Sequence, residues 1–358
     1  MVKRAIVVSL LGALSAPAVW AQSSVTLYGS LDAGVAYISN VAGGSKYMEE
    51  QGNMQPDRWG LKGTEDLGSG LHALFLLENG FYTNTGGFAK TGTEFNRAAY
   101  VGIESDRVGK VTLGQQTPFA FDYLGPLSTA YQAQSWFFFH PGNVDELADT
   151  GVVPYSNSVK FKSANFGGFD FGAMMGLGNT TDFAYGKTLS VAASYGAGPF
   201  RASAVYAVEH NRTISIATTG ITNFQGQAAS TYTADKVENM GAGASYRLGK
   251  VFLHALWTRV TIQNPGHQDI YQTFDTGANY QLTAANQIDG GVSTTSLSGR
   301  RWSNIVITDN YFLSKSTQLY VNVMYEHANS QANAAFFTAG VSGGRNQTIV
   351  LGGIHHSF

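Results

Sequence analysis

The sequence has no cysteine, only eight prolines and few charged residues among its 358 positions. Without cysteine, no disulfide bond can hold the fold together. Charged residues make up 13% of the chain and the formal net charge is −2, which is not the basic footprint of a nucleic-acid-binding protein. Beyond the first residues, no apolar run approaches the roughly 18 residues that indicate a transmembrane helix, so helical spans are excluded.

Glycine and aromatic residues are what the chain has in quantity. It contains 43 glycines, and aromatic residues make up 13% of the positions. A composition rich in glycine and poor in proline is typical of twisted, tightly turned sheets.

The first residues have the three parts of a secretory signal. They are a charged region, an apolar region and a cleavage site, formed by Lys3 and Arg4, residues 5–16 and Val19-Trp20-Ala21. We therefore expect residues 1–21 to be removed and residues 22–358 to form the mature chain. The alternative is a short membrane anchor, but the apolar stretch is short for a span and strand signals follow it at once.

Apolar and polar residues alternate in segment after segment. Phe169, Phe171 and Ala173 fall on one side of a predicted strand, and Asp170 and Gly172 fall on the other. Successive side chains of a strand point to opposite faces, so this pattern indicates sheets with one apolar face. A soluble sandwich would bury that face, whereas a membrane barrel turns it towards lipid. An exported chain without helical spans favours the barrel.

Turn signals divide the chain at regular intervals. Seven short turns are expected near 66–70, 106–110, 165–168, 196–199, 247–250, 282–285 and 313–316. Eight longer connections are expected near 39–55, 82–94, 118–155, 179–187, 209–236, 262–268, 298–302 and 329–345. Fifteen connections join sixteen strands. The sequence thus predicts one all-β domain, a 16-stranded antiparallel transmembrane β-barrel with short periplasmic turns and long external loops. Closure is expected because open edges in lipid would leave backbone groups unpaired.

Aromatic residues are expected near the strand ends or on the lipid-facing side. Those that fit are Tyr28, Tyr37, Trp59, Phe81, Tyr100, Tyr195, Tyr206, Tyr246, Trp257, Tyr280 and Tyr325. Amphipathic rings favour the two membrane interfaces. Packing in an ordinary protein core is the alternative for any single ring.

The connection at 118–155 is unusually long and rich in aromatic residues, which argues against disorder. It has no lysine or arginine, and its four acids are Asp122, Asp145, Glu146 and Asp149. An aromatic-rich loop needs a surface to pack on, and the inner wall of a wide barrel offers one. We expect the loop to fold inward, narrow the pore and present carboxylates to it. The alternative is a solvated external loop.

Basic residues are expected on the wall that faces this loop. Alternation puts Arg58 and Lys62 on one face of their strand, and placing Tyr100 towards lipid puts Arg97 inside. An arginine on the lipid face costs about 2–4 kcal/mol near the midplane, which favours the inward register. Lys160 is a weaker candidate, together with Lys162 on the same face. Basic wall and acidic loop would set a transverse field that biases ion traffic.

Motifs for catalysis or metal binding are not found. The eight histidines are scattered, no HExxH occurs, and His355 and His356 point to opposite faces of their strand. No G-x-S-x-G elbow lies in a strand–turn–helix context. We therefore expect no enzyme, no metal site and no cofactor.

Six segments resemble the general trimeric porins of Gram-negative outer membranes, closest to their β-proteobacterial branch. They are residues 24–29, 58–71, 95–102, 109–114, 157–160 and 353–358. The resemblance implies a sixteen-stranded barrel, three per assembly, embedded in outer-membrane lipid and lipopolysaccharide. It further implies that the third outer loop folds into each lumen, that Arg58 and Arg97 belong to a basic constriction, and that Phe358 is read by the outer-membrane assembly machinery.

Three positions depart from the family pattern. Ser30, Gln115 and Ser156 stand where relatives often have basic residues. The basic cluster is therefore thinner than in many relatives, which argues against strong anion selectivity.

The leading functional hypothesis is passive diffusion of small hydrophilic solutes and ions across the outer membrane. A substrate-selective porin is the alternative, and saturable flux would favour it. An outer-membrane enzyme would need a catalytic cluster at one rim. An adhesin or surface-antigen barrel could use the polar 209–236 loop.

Overall fold

The computed structural model describes residues 24–148 and 155–358, so the expected signal segment 1–21 and Asp149 lie outside the described residues. The strands within the described residues are β1 (Ser24–Val41), β2 (Gly44–Gln51), β3 (Arg58–Gly68), β4 (Leu71–Gly80), β5 (Ala98–Ser105), β6 (Gly109–Gln116), β7 (Tyr155–Ser163), β8 (Phe169–Gly176), β9 (Thr188–Ala197), β10 (Phe200–Thr213), β11 (Asn223–Phe224), β12 (Gln227–Ala228), β13 (Thr233–Leu248), β14 (Val251–Asn264), β15 (His267–Gln281), β16 (Asn286–Leu297), β17 (Arg300–Phe312), β18 (Thr317–Ala328) and β19 (Asn346–Ser357).

The large sheet closes on itself as an antiparallel barrel. Strand β1 pairs with β19 from Ser30 opposite Ser357 to Ile38 opposite Ile349. On its other side, β1 pairs with both β2 and β3, which together form one position in the barrel, interrupted at residues 52–57. Strands β11 and β12 form a separate two-residue hairpin. The barrel therefore has sixteen strand positions, and the sequence prediction of sixteen strands is confirmed.

The expected connections are partly right. All seven short turns are present between the expected strands. The prediction of long connections at 39–55, 262–268 and 298–302 is wrong, because two-residue turns join those strands. Ala42 and Gly43 make the first of these turns with φ of 49° and 94°, and the chain then returns as β2. Polar residues around the glycine suggested a loop, but positive φ at the turn lets the hairpin close tightly.

Apolar residues cover the outside of the barrel. On β18, Leu319, Val321 and Val323 are 42–50% exposed, whereas Asn322 and Met324 on the opposite face are buried. The same alternation exposes Val25, Leu27 and Val35 on β1. Such an apolar outer surface suits contact with lipid. Within the described residues, no helix combines the length and the apolarity needed to cross a bilayer.

The buried apolar residues lie inside the barrel in two clusters. One joins the inner wall to the segment after β6 and includes Phe119, Phe137 and Phe138. The other joins the wall to the segment between β10 and β13 and includes Ile216 and Tyr232. Loop segments therefore fill part of the lumen and determine where the remaining space lies.

Candidate functional site

The segment between β6 and β7 lies inside the barrel in its described part, residues 117–148. Its helical turns are Ala120–Leu124, Gly125–Leu127, Thr129–Gln132, Trp136–Phe138 and Pro141–Asn143. The side-chain oxygen of Ser128 accepts a hydrogen bond from the N–H of Tyr131 and so caps the third turn. Short turns of this kind pair many backbone groups locally, which lets a loop cross the lumen without leaving them unsatisfied.

Side chains of the far wall hold this segment. The carboxylate of Asp275 on β15 accepts a hydrogen bond of 2.9 Å from the N–H of Thr129. The amide of Asn279, four residues further along β15, donates to the carbonyl of Gln132 at 2.9 Å. These contacts span the barrel interior, so the loop is attached to the wall opposite the strands from which it leaves.

The tip of the segment is attached near the barrel seam. The N–H of Trp136 donates to the carbonyl of Asn53 at 2.7 Å. The amide of Gln318 on β18 donates to the side-chain oxygen of Gln134 at 2.7 Å. Asn53 belongs to the interruption at 52–57, so that interruption provides a docking point for the loop.

The aromatic residues of the segment also pack against another loop. The ring of Trp136 lies 5.5 Å from that of Phe139 and 5.4 Å from that of Phe337, between ring centroids. Phe337 belongs to the connection between β18 and β19. Tilted and edge-on ring pairs at these separations stabilise the contact.

Arg58 and Arg97 face the loop and share one carboxylate. Nε of Arg97 donates to Glu78 at 2.7 Å, and Nε of Arg58 lies 3.8 Å from the same carboxylate. Arg58 also donates to the side chain of Gln55 at 2.8 Å. The side chain of Arg58 is 24% exposed and that of Arg97 is 4% exposed. Glu78 therefore bridges the two arginines on the wall.

A cavity of about 420 Å³ separates these charges from the loop. Arg58, Glu78 and Arg97 line its wall side, and Phe121 and Tyr131 line its loop side. The sequence reasoning missed Glu78. The pairing of β3 with β4 could have indicated it, because Glu78 lies opposite Gly60, which is two residues from Arg58 on the same face.

Tyr28 and Tyr100 face the lumen. The hydroxyl of Tyr28 donates to Glu78 at 2.6 Å, and Tyr100 lines a lumenal cavity with Asp122 and Lys160. The prediction that Tyr100 faces lipid is therefore wrong. Arg97 is nevertheless inside, because it precedes the first residue of β5 and strict alternation does not extend back to it.

Lys62 is not brought together with the two arginines. Its side chain is exposed, and Nζ lies 5.2 Å from the ring centroid of Tyr28. It belongs to the same face of β3 as Arg58, nearer the short-turn end of the strand.

Lys160 and Asp122 pair with one another. Nζ of Lys160 lies 2.5 Å from the carboxylate of Asp122 and donates to the carbonyl of Thr117 at 2.8 Å. Asp122 also accepts a hydrogen bond of 2.7 Å from the hydroxyl of Thr117. Nζ of Lys160 is 4.9 Å from the ring centroid of Phe119. The pair is electrically neutral and fixes the beginning of the loop to β7.

Asp145 is an anchor for the loop. It is fully buried and accepts hydrogen bonds of 2.6 Å from the ring of His140 and 2.7 Å from the hydroxyl of Thr258 on β14. The other ring nitrogen of His140 lies 3.2 Å from Asp275. Burial disfavours the charged ring, but the two carboxylates outweigh it and raise the pKa of His140 to about 10.

Glu146 is buried in a similar way. Its carboxylate lies 3.2 Å from the guanidinium of Arg212 on β10 and accepts a hydrogen bond of 2.6 Å from Tyr155. Arg212 also pairs with Glu209 at 3.0 Å. These placements differ from the expectation that Asp145 and Glu146 present charge to the pore, because the wall supplies partners that bury both carboxylates.

A family model described as Gram-negative porin matches residues 6–331. Two curated relatives are outer membrane porin proteins. One, from Bordetella pertussis, is 34% identical over 48% of this chain and 47% of its own length. The other, porin protein 32 from Delftia acidovorans, is 29% identical over 95% of this chain and 96% of its own length.

Solved structures of similar fold include an anion-selective porin from Comamonas acidovorans. It is 25% identical, with a TM-score of 0.78 over 94% of this chain and all of that chain. The trimer form of OmpT from Vibrio cholerae is 12% identical, with a TM-score of 0.68 over 94% of this chain and 99% of that chain, a likeness of fold alone.

Proposed function

Because the chain belongs to the Gram-negative porin family, it forms a diffusion channel for small hydrophilic solutes and ions in the outer membrane, and we propose that the gap between Arg58, Arg97 and the loop is its constriction. The observation that carries the proposal is the attachment of residues 117–148 across the lumen, which leaves a cavity of about 420 Å³ beside the two arginines. A gap of this kind filters by size, and its charged lining biases ion passage.

The preferred ion of this constriction is an anion, but the preference is weak. Glu78 offsets the positive charge of one of the two guanidinium groups. Lys160 is neutralised by Asp122 and adds no net positive charge to the lumen. The side chain of Arg58 is 24% exposed and presents its charge to the gap. The relative from Comamonas is described as anion-selective, which agrees with the proposed sign.

The assembly that we propose is a homotrimer in contact with outer-membrane lipid and lipopolysaccharide. The family of trimeric porins and the exposed apolar outer surface of the barrel support it. Residues 1–21 are proposed to be a cleaved signal and Phe358 to be read by the assembly machinery. In the folded barrel, the N–H of Phe358 donates to Gly29 at 3.1 Å and its carbonyl accepts from Gly29 at 2.9 Å.

The test of the constriction is planar-bilayer recording of full-length protein under a salt gradient. Replacing both arginines, Arg58→Ala with Arg97→Ala, should move the reversal potential towards cation preference. Two unit charges about 4 Å apart interact by roughly 1 kcal/mol in water, which corresponds to a change of roughly fivefold in the anion-to-cation permeability ratio.

A matched control removes two arginines away from the gap. Arg107→Ala with Arg301→Ala changes the net charge equally at exposed positions and should leave the reversal potential as in the wild type. Equal shifts in both double variants would place the selectivity in the overall charge of the channel, and no shift in either would remove Arg58 and Arg97 from the constriction.

A further inference from the structure

A second lumenal cavity lies next to the proposed constriction. It has a volume of about 370 Å³ and shares Phe121 and Tyr131 of the loop with the first cavity. Strands β6 and β7 form its wall. The cavity lies near the ends of these strands that adjoin the short turns at 106–108 and 164–168. A solute that passes the gap at Arg58 therefore meets this cavity next on its way to the short-turn end.

Three lysines line this cavity on two adjacent strands. Lys110 on β6 lies directly opposite Lys162 on β7, and Thr112 lies opposite Lys160. All three lysines line the cavity, so their side chains are neighbours on the lumenal face. Like charges directly opposite one another destabilise a sheet, so this arrangement has a cost in stability that packing alone does not explain.

Only one of the three lysines is neutralised inside the cavity. Lys160 is bound to Asp122, which is the carboxylate that lines the cavity. Among the ion pairs of the described residues, none includes Lys110 or Lys162. Glu104 pairs with Lys110 in the sheet on its other side but does not line the cavity. Among the residues that line the cavity, three lysines therefore face one carboxylate, with Glu104 beside Lys110 on the adjoining strand.

Lys110 and Lys162 are both half-buried, and Lys162 is supported by a ring. Nζ of Lys162 lies 5.0 Å from the ring centroid of Tyr123, which belongs to the loop. The ring face favours a cation and holds the ammonium group near the cavity. The hydroxyl groups of Tyr100 and Tyr131 also belong to the lining and add hydrogen-bond donors.

We propose that Lys110 and Lys162, with Lys160 beside them, form a binding subsite for small dianions such as inorganic phosphate. This inference rests on the proposed function, because the subsite lies on the path through the gap. A dianion has charge for two ammonium groups and can bridge Lys110 and Lys162, whereas a monoanion has charge for one. Binding is reversible and weakens with ionic strength, since the lysines are partly exposed to water.

The test is the effect of inorganic phosphate on chloride current through the full-length channel in planar bilayers. Phosphate should lower wild-type chloride conductance in a saturable manner. In the variant Lys110→Gln with Lys162→Gln, the phosphate concentration for half-maximal reduction should rise at least about tenfold, because both charges that a dianion bridges are lost. Acetate, a monoanion, should reduce the current much less than phosphate at equal concentration.

The controls separate charge at the subsite from charge elsewhere. Lys250→Gln with Lys315→Gln removes two lysines from short turns outside the cavity and should keep the wild-type phosphate response. Lys110→Arg with Lys162→Arg keeps both charges and should keep the response. If the double glutamine variant does not assemble, Lys110→Gln alone should raise the half-maximal concentration about threefold.

Three results would overturn the subsite. They are a linear wild-type response to phosphate, an unchanged half-maximal concentration in the double glutamine variant, and equal reduction by acetate and phosphate. Each of these results would leave the proposed constriction standing if Arg58→Ala with Arg97→Ala still shifts the reversal potential in potassium chloride without phosphate. A bilayer that stays electrically sealed would contradict both proposals.

Discussion

Two groups of charged residues lie on opposite sides of the loop and differ in their access to water. Arg58 on the gap side is partly exposed, and it shares Glu78 with Arg97. On the anchor side, Asp145 and Glu146 are buried and bound to His140 and Arg212. We propose that Arg58 acts on passing ions because water reaches it, whereas the largely buried Arg212 holds the loop. Access to water, rather than residue type, separates these two arginines, and Arg97 is buried like Arg212.

The largest expected effect comes from breaking the anchor at Arg212. The change Arg212→Ala leaves Glu146 and Glu209 buried without their partner, and loss of one member of a buried pair costs about 3–5 kcal/mol. We expect a lower unfolding midpoint in detergent and a higher single-channel conductance as the loop loosens. Arg301→Ala, which is exposed, is the control; equal midpoints for both variants would mean that the anchor contributes nothing.

Shortening the loop should change the conductance of the pore more than it changes the stability of the barrel. Deletion of residues 128–138 takes away the part that docks on Asn53 and Gln318 and should raise single-channel conductance about twofold or more, since the lumen is no longer divided. Shortening the exposed connection 179–185 between β8 and β9 by the same method is the comparison and should change conductance little. A wild-type conductance after the first deletion would contradict the constriction.

Single substitutions of the two arginines of the gap should have different effects on ion preference and stability. Arg58→Ala removes a partly exposed charge and should shift ion preference with little loss of stability. Arg97→Ala should lower stability as well, by about 1.5–3 kcal/mol, because the half-buried Glu78 loses a charged hydrogen bond of 2.7 Å. Reversal potential and unfolding midpoint, measured on both variants, give the comparison. Equal losses of stability would show that burial does not distinguish the pair.

The smallest expected effect is a pH dependence at His140. Its pKa is raised above the unfolded value near 6.5 to about 10, so its stabilisation is fully present below pH 6.5 and is lost as pH rises through about 10. Conductance should therefore be steady around neutral pH and increase near pH 10. The increase should be absent from His140→Gln, which has an amide that does not titrate in place of the ring; an identical rise in that variant would assign the effect to other groups.

The sequence was sufficient for the architecture and only partly for the site. Period-two alternation and glycine-containing turns predict sixteen strands, because lipid and water impose opposite demands on the two faces. Strand β2 was missed because it lies between a two-residue turn and the interruption at 52–57, so its alternation is short. Alternation indicates the lumenal face for Arg58, which lines a cavity there, but it misled for Tyr100.

The roles of the loop acids depend on partners distant in the chain. Asp145 is buried by Thr258, and the histidine that it binds is held in turn by Asp275. Nothing in the local pattern around Asp145 indicates these partners. Lys110 escaped notice for the same reason, because its significance comes from Lys162 on the neighbouring strand.

The seam between β1 and β19 sets the order of events during biogenesis. The contact of Ser30 with His355 joins residues 325 positions apart, so nearly the whole chain must be delivered before the seam can form. Until then, the sheet has two unsatisfied borders, each able to pair with another nascent chain. Such long-range closure is slow compared with forming the local hairpins. The time spent with open borders, more than the stability of the finished cylinder, therefore determines how far this chain is exposed to aggregation.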